Sequence, residues 1–148
     1  MEAKAEESSI AHHTRSDETS VRTLKPLRDE HKEQVSIFVW ARYARARWPE
    51  LDLLHAIPNG GHRHKAVAMK MRAEGVRRGV PDIFLPVARS GWNGLYIELK
   101  AEHGKVSQDQ RWWLKNLSDQ GYLAVVCRGG ESAQHVIESY LDEVAYPV

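Results

Sequence analysis

The sequence has little cysteine and no long apolar run, and both absences narrow what the protein can be. One cysteine, Cys127, cannot form an intramolecular disulfide. Because it ends an apolar run, Leu-Ala-Val-Val-Cys, we expect a small buried side chain rather than a nucleophile. No apolar stretch approaches the roughly 20 residues that cross a bilayer, and the polar N-terminus lacks the apolar region of a secretory signal. We therefore expect a soluble, cytoplasmic protein.

Net charge is also scarce, at +1, but the charges are unevenly distributed. Residues 1–21 carry a net −3, residues 22–80 a net +7 and residues 81–148 a net −3. A basic middle followed by a carboxylate-bearing second half suits a protein that binds phosphates and a metal ion. The alternative is that these charges only solvate helix faces.

The apolar periodicity predicts an α/β fold, with a mixed central β-sheet flanked by helices. We expect residues 1–24 to form a flexible tail and residues 25–148 a single domain. Helices are predicted at about 29–48, 64–75, 107–119 and 131–144, and strands at 51–57, 80–87, 95–101 and 122–127. The strands at 80–87 and 95–101 should form a β-hairpin.

The hairpin carries the pattern that points to chemistry. Asp82 lies near the start of its first strand, and Glu98 and Lys100 alternate along its second strand. Alternate residues of a strand share one face, so pairing of the two strands brings both carboxylates and the ammonium together. Carboxylates are ligands for Mg²⁺ or Mn²⁺, and a nearby lysine can orient or deprotonate a water molecule. The alternative is the charged outer face of an ordinary hairpin.

Five motifs occur in an order that resembles a known family. They are Glu33-Gln34, Pro58-Asn59-Gly60-Gly61, Gly79-Val80-Pro81-Asp82-Ile83, Ile97-Glu98-Leu99-Lys100 and Ser107-x-x-Gln110. This arrangement, over about residues 28–141, resembles the VRR-NUC family of the PD-(D/E)xK nuclease superfamily, whose core is restriction-endonuclease-like. The short chain is similar to the stand-alone phage and bacterial members, which implies a bacterial or phage-infected host cell.

The resemblance implies roles for six residues. Glu33, Asp82, Glu98 and the backbone carbonyl of Leu99 would hold Mg²⁺ or Mn²⁺. Asp82, Glu98, Lys100 and Gln110 would be the catalytic residues. Two of these have simpler explanations: Gln110 has the position of a capping-box residue behind Ser107, and Glu33 can be a solvent-facing charge on an amphipathic helix.

A basic segment precedes the hairpin and is the candidate DNA-binding surface. Its members can contact the phosphate backbone without reading base sequence. They are Asn59, Gly60, Gly61, His62, Arg63, His64, Lys65, Lys70, Arg72, Arg77 and Arg78. The alternatives are an ordinary turn at Asn59 to Gly61 and a solvated helix face after it. At least one ring of the Trp112-Trp113 pair is predicted to pack into the core, and base stacking is the alternative to core packing for the other.

These inferences predict a Mg²⁺- or Mn²⁺-dependent endonuclease for branched DNA, with Holliday junctions as its substrate. The resemblance and the symmetry of a four-way junction imply a homodimer, and a replication or repair partner is possible. The alternatives are a flap or nicking nuclease, a non-catalytic DNA-binding module with the same fold, and a purely structural interaction protein.

Overall fold

The computed structural model of the protein describes residues 30–58 and 65–144. It contains four α-helices, four β-strands and a short 3-10 helix in this part of the chain. The helices are α1 (Glu30–Ala44), α2 (Lys65–Ala73), α3 (Gln108–Asp119) and α4 (Gly130–Leu141). The strands are β1 (His55–Ala56), β2 (Ile83–Leu85), β3 (Leu95–Lys100) and β4 (Leu123–Arg128). The predicted α/β fold is confirmed.

The strands form one mixed sheet in the order β1-β2-β3-β4. β2 pairs antiparallel with β1 and with β3, so the predicted hairpin is present. β4 pairs parallel with β3 over all six of its residues, and α3 makes the crossover between them. Ile83, the first residue of β2, pairs with Ile97, so β3 continues beyond β2 from Glu98 onward. The C-terminal half of β3 is therefore open to side chains on the β2 side.

The two faces of β3 differ in chemistry. Leu95, Ile97 and Leu99 are buried and belong to the same apolar cluster as Ile37 of α1 and Ile137 of α4. Because side chains alternate along a strand, Tyr96, Glu98 and Lys100 point to the opposite face, and α3 approaches that face. Glu98 and Lys100 are buried all the same. Two charged groups are thus fixed in the interior of the fold, beside α3.

The first helix forms where the sequence predicts it, and only one of its apolar stripes is buried. Val35 and Val39 are exposed and Tyr43 keeps 79% of its surface accessible. The buried residues of α1 are Ile37 and Ala41 instead. Apolar side chains surround this helix, so periodicity alone could not choose between the two stripes.

The strand predicted over residues 51–57 is wrong for most of its length. Pro49–Leu53 is a 3-10 helix, and only His55–Ala56 pair as a strand. Pro49 occupies the first turn, where its fixed φ and missing N–H are tolerated. Leu51 and Leu54 are both buried, and their three-residue separation matches the period of a 3-10 helix.

The remaining elements lie where the sequence predicts them, and some of them are shorter than predicted. The strand predicted at 80–87 contracts to Ile83–Leu85, and the last helix ends at Leu141 rather than at residue 144. Cys127 is buried in β4, and burial raises the pKa of its thiol to about 11, which confirms a structural cysteine. None of the helices in the described ranges combines the length and apolar character that a bilayer crossing requires.

Candidate active site

Asp82 is held beside β3 by a backbone hydrogen bond. It directly precedes β2, and its Oδ2 accepts a hydrogen bond from the backbone N–H of Leu99 at 2.9 Å. Its own carbonyl accepts from the N–H of Ile57 at 2.8 Å, which ties the residue to the other side of the sheet. The carboxylate thus occupies the place where β2 no longer supplies a partner for β3. The hairpin brings Asp82 to the charged end of β3, as the sequence predicts.

Glu98 is the most unusual side chain of the site. Its exposed fraction is 0%, and its Oε2 has no hydrogen-bond partner among the described residues. Burial raises the pKa of its carboxyl to about 7; the Lys100 hydrogen bond opposes this rise, and the negative charges of Asp82 and Glu30 reinforce it. A buried acceptor without a partner costs free energy unless another group satisfies it.

Lys100 supplies the positive charge beside Glu98. Its Nζ lies 2.8 Å from Glu98 Oε1, and only 8% of the residue is exposed. Burial lowers the pKa of this ammonium, but the hydrogen bond and charge of Glu98, together with Glu30 and Asp82, outweigh burial and raise the pKa. Lys100 therefore keeps its proton at neutral pH. It is suited to stabilising negative charge and not to taking a proton from water.

Glu30 joins this cluster, although the sequence analysis did not select it. Its Oε1 accepts a hydrogen bond from the backbone N–H of Ala101 at 3.1 Å and lies 4.0 Å from Lys100 Nζ. The residue begins α1, one helical turn before Glu33. The sequence contains a signal for Glu30, because it lies three residues before Glu33 and residues three apart on a helix share a face. Only Glu33 belongs to the family motif.

Gln110 makes the capping-box contacts and also reaches Glu98, and its predicted catalytic role stays a prediction. Its Oε1 accepts from the backbone N–H of Ser107 at 2.8 Å, while Ser107 Oγ accepts from the N–H of Gln110 at 3.2 Å, which completes the capping box of α3. Its Nε2 donates to Glu98 Oε1 at 2.5 Å. The two ends of one amide therefore join the start of α3 to the buried carboxylate.

Gly79 explains how closely α3 can approach the loop before Asp82. Its φ is +80°, and a Cβ at this position would lie 2.7 Å from the backbone carbonyl carbon of Asp109. Any larger residue would collide with the first turn of α3, and the left-handed backbone favours glycine as well. The absence of a side chain at Gly79 thus lets the first turn of α3, which carries Gln110, pack against this loop.

Glu33 points its carboxylate at another helix. Its Oε2 accepts a hydrogen bond from the backbone N–H of Gly130 at 2.7 Å, at the first residue of α4. The cap residue of α4, Gly129, has no side chain that could do this. Glu33 thus caps α4 from α1, and a negative charge at a helix N-terminus is favourable. Its predicted role as a metal ligand stays a prediction.

The side chains that face one another fit a divalent cation in part. Asp82 and Glu98 provide hard oxygen donors, and the unpartnered Oε2 of buried Glu98 is a donor that a cation would satisfy. Within residues 30–58 and 65–144, however, no three His, Cys, Asp or Glu side chains are grouped so that they could hold a metal together. A cation held by Asp82 and Glu98 would need further ligands, such as backbone carbonyls or water, and the metal role of Glu33 stays a prediction.

The predicted DNA-binding residues fall on α2 and the segment after it, where they are described. Asn59, Gly60, Gly61, His62, Arg63 and His64 lie outside the described residues. The other five, Lys65, Lys70, Arg72, Arg77 and Arg78, are all exposed. No residue of α2 is buried, so this basic helix presents its whole length to its surroundings.

Comparison with known proteins supports the predicted family and fold. The family model for the VRR-NUC domain matches residues 14–131. The chain belongs to the VRR-NUC family. A solved structure titled "VRR_NUC domain protein" is similar, with a TM-score of 0.66 and 28% identity over 76% of this chain and 88% of that chain. No curated protein sequence matches the chain. VRR-NUC membership implies a nuclease of the PD-(D/E)xK type. Pro81-Asp82 and Glu98-Leu99-Lys100 match that sequence pattern.

Proposed function

We propose that this VRR-NUC protein is a metal-dependent endonuclease that hydrolyses phosphodiester bonds in branched DNA. The observation that carries the proposal is the buried carboxylate of Glu98. It is held between Lys100 and Gln110, next to Asp82, with one oxygen unpartnered among the described residues. A fold that served only for binding or scaffolding would gain nothing from a carboxyl whose burial is so costly.

Each residue of the cluster has a distinct task. Asp82, Glu98 and the carbonyl of Leu99 would hold Mg²⁺ or Mn²⁺. The bound ion would lower the pKa of a water molecule and neutralise charge on the scissile phosphate. Lys100, protonated at neutral pH, faces the negative charge that develops during phosphodiester hydrolysis. Gln110 fixes the orientation of Glu98 and leaves its second oxygen available.

The exposed cations of α2 and the segment after it make DNA the natural substrate. Lys65, Lys70 and Arg72 lie on α2, which has no buried residue, and Arg77 and Arg78 follow it. These five exposed cations can hold the phosphate backbone irrespective of DNA sequence. We propose branched DNA as the preferred form, with a four-way junction cut by a homodimer, because two symmetric cleavage points match two identical subunits. Flap or nicked DNA is the alternative substrate.

A panel of labelled substrates tests the proposal. Four-way junction, flap and linear duplex DNA of one sequence are incubated with the protein in Mg²⁺, Mn²⁺ or EDTA. We expect cutting in either metal and none in EDTA, with branched DNA preferred over linear duplex. Lys100→Met should abolish cutting, whereas Lys105→Met, which removes an exposed lysine nearby, should not. Binding without cutting under every metal condition would favour the non-catalytic module.

A further inference from the structure

A cleft lined by arginine and tryptophan side chains lies between the start of α3 and the segment that follows α2. It has a volume of about 610 Å³, within the range of about 300–1,000 Å³ that is typical of ligand sites. Its walls are formed by Trp112 and Trp113 of α3, by Arg72 at the end of α2, by Arg77 and Arg78, and by Asp109. Three arginines against one acid make the cleft positive. None of these residues belongs to the Asp82–Glu98–Lys100 cluster.

The two tryptophans are placed differently. Trp113 is half-buried, and its indole N–H donates to the backbone carbonyl of Arg78 at 2.9 Å. Trp112 keeps 59% of its surface exposed and meets the Trp113 ring edge-on, with the ring centroids 5.4 Å apart. Trp112 is thus not a core residue, and core packing, the favoured prediction for the second ring, is wrong for it. Its indole remains on the surface and is braced by its neighbour, so that a second aromatic group can stack on it.

The arginines offer positive charge around this ring. Arg72, Arg77 and Arg78 are exposed. Asp109, the acid that lines the cleft, lies 3.9 Å from Arg78 Nε, which is too long for a hydrogen bond. An exposed ion pair of this length contributes little and is readily replaced by a phosphate.

The backbone joins the cleft directly to the active site. Asp109 precedes Gln110, whose amide donates to Glu98. Arg78 precedes Gly79, which packs against the first turn of α3, and Asp82 follows three residues later. The cleft is thus built by residues that directly neighbour, along the chain, the segments carrying Gln110 and Asp82.

We propose that this cleft binds a nucleotide of an unpaired DNA strand, with its base stacked on Trp112 and its phosphates held by Arg72, Arg77 and Arg78. The inference builds on the proposed nuclease function and names the feature of the substrate that the protein recognises. A paired base has both faces covered by its neighbours in the duplex and cannot stack on an indole. An unpaired base can, irrespective of its identity. The substrate is then DNA that carries unpaired nucleotides, which favours the flap alternative over a fully paired four-way junction.

Binding measured in EDTA tests the cleft independently of cutting. The probes are three fluorescein-labelled DNAs of one sequence: a blunt duplex, a duplex with a single-stranded overhang, and a duplex whose overhang consists of abasic sugar-phosphates. We expect wild-type protein to bind the base-bearing overhang most tightly. Trp112→Ala should weaken that binding about 5- to 150-fold, the range for one stacked base. It should leave the abasic and blunt probes unchanged, and Trp112→Phe should recover part of the loss.

Two control variants, Tyr43→Ala and Arg45→Gln, separate the effect of the cleft from general effects of substitution. Tyr43→Ala removes an exposed aromatic residue of α1, outside the cleft, and should change no affinity. Arg77→Gln should weaken binding to both overhangs and reduce the slope of log affinity against log salt by about 0.7, as expected for one lost single-strand phosphate contact. Arg45→Gln, also exposed, should not alter that slope.

The results distinguish failure of the inference from failure of the proposed function. Equal binding of the base-bearing overhang by wild type and Trp112→Ala would overturn the stacking site, even if the wild type cuts DNA. An equal loss on the abasic probe would also overturn it, because no base is then involved. Trp112-dependent binding to bases, without any cutting in Mg²⁺ or Mn²⁺, would support the cleft while refuting the nuclease.

Discussion

Replacing Glu98 with glutamine should change how the stability of the protein depends on pH. The folded protein raises the pKa of this carboxyl from 4.5 to about 7, chiefly by burial. Between these values the folded state retains a proton that the unfolded state has released. The free energy of unfolding should therefore fall as pH rises from about 4.5 to about 7, by about 1.4 kcal/mol per pH unit. Over the whole interval the loss of unfolding free energy amounts to about 3 kcal/mol. Glutamine has no carboxyl proton to release, so Glu98→Gln should not show this loss.

Urea unfolding at a series of pH values between 4 and 8 measures the effect. In EDTA, we expect the wild type to lose about 3 kcal/mol more than Glu98→Gln across this interval. The matched control is Glu102→Gln, which removes an exposed carboxyl two residues past Lys100 and should follow the wild-type curve. Saturating Mg²⁺ should flatten the wild-type curve, because a bound cation requires the deprotonated carboxylate. Parallel curves for wild type and Glu98→Gln in EDTA would refute the reasoning.

Three further predictions concern the residues around this carboxylate. Gln110→Ala should reduce both thermal stability and DNA cleavage. Ser107→Ala should cost about 0.5–2 kcal/mol of stability and leave cleavage intact. Equal cleavage by the two variants would contradict the contact between Gln110 and Glu98. Glu33→Ala should destabilise the fold because it leaves the Gly130 N–H unpaired. Glu33→Gln should preserve both stability and cleavage. A stable Glu33→Gln variant that cannot cut DNA would instead identify Glu33 as a metal ligand. Gly79→Ala should cost at least about 1–2 kcal/mol in a thermal melt and slow cleavage by displacing α3, and unchanged stability would contradict the tight approach.

The hairpin and its charged residues could be predicted because the signals are local. Period-two alternation places Glu98 and Lys100 on one face, and the turn between the strands fixes Asp82 beside them. The capping box of Ser107 and Gln110 is likewise a matter of three-residue spacing. Such patterns depend on few neighbours, so the sequence carries them completely.

The contacts between distant elements could not be predicted in the same way. Glu30 reaches Ala101 and Lys100 across the fold, and Glu33 caps α4, whose first residue is 97 positions away in sequence. These contacts depend on how α1 is rotated, and its apolar residues surround the helix too evenly to settle that. The 3-10 helix at Pro49–Leu53 was missed because a short apolar run suits either a strand or a buried turn.

The measurement that tests the central claim most directly is the cleavage rate of Asp82→Asn on labelled branched DNA in Mg²⁺, with enzyme in excess. Asparagine can still accept the hydrogen bond from Leu99, so the fold should be retained. Asp119→Asn, at the exposed end of α3, is the matched control. We predict that Asp82→Asn cuts more than about 100-fold more slowly than wild type, since loss of even an outer partner of a metal costs about 10–100-fold, while Asp119→Asn cuts normally. Wild-type cleavage by a folded Asp82→Asn would contradict the account.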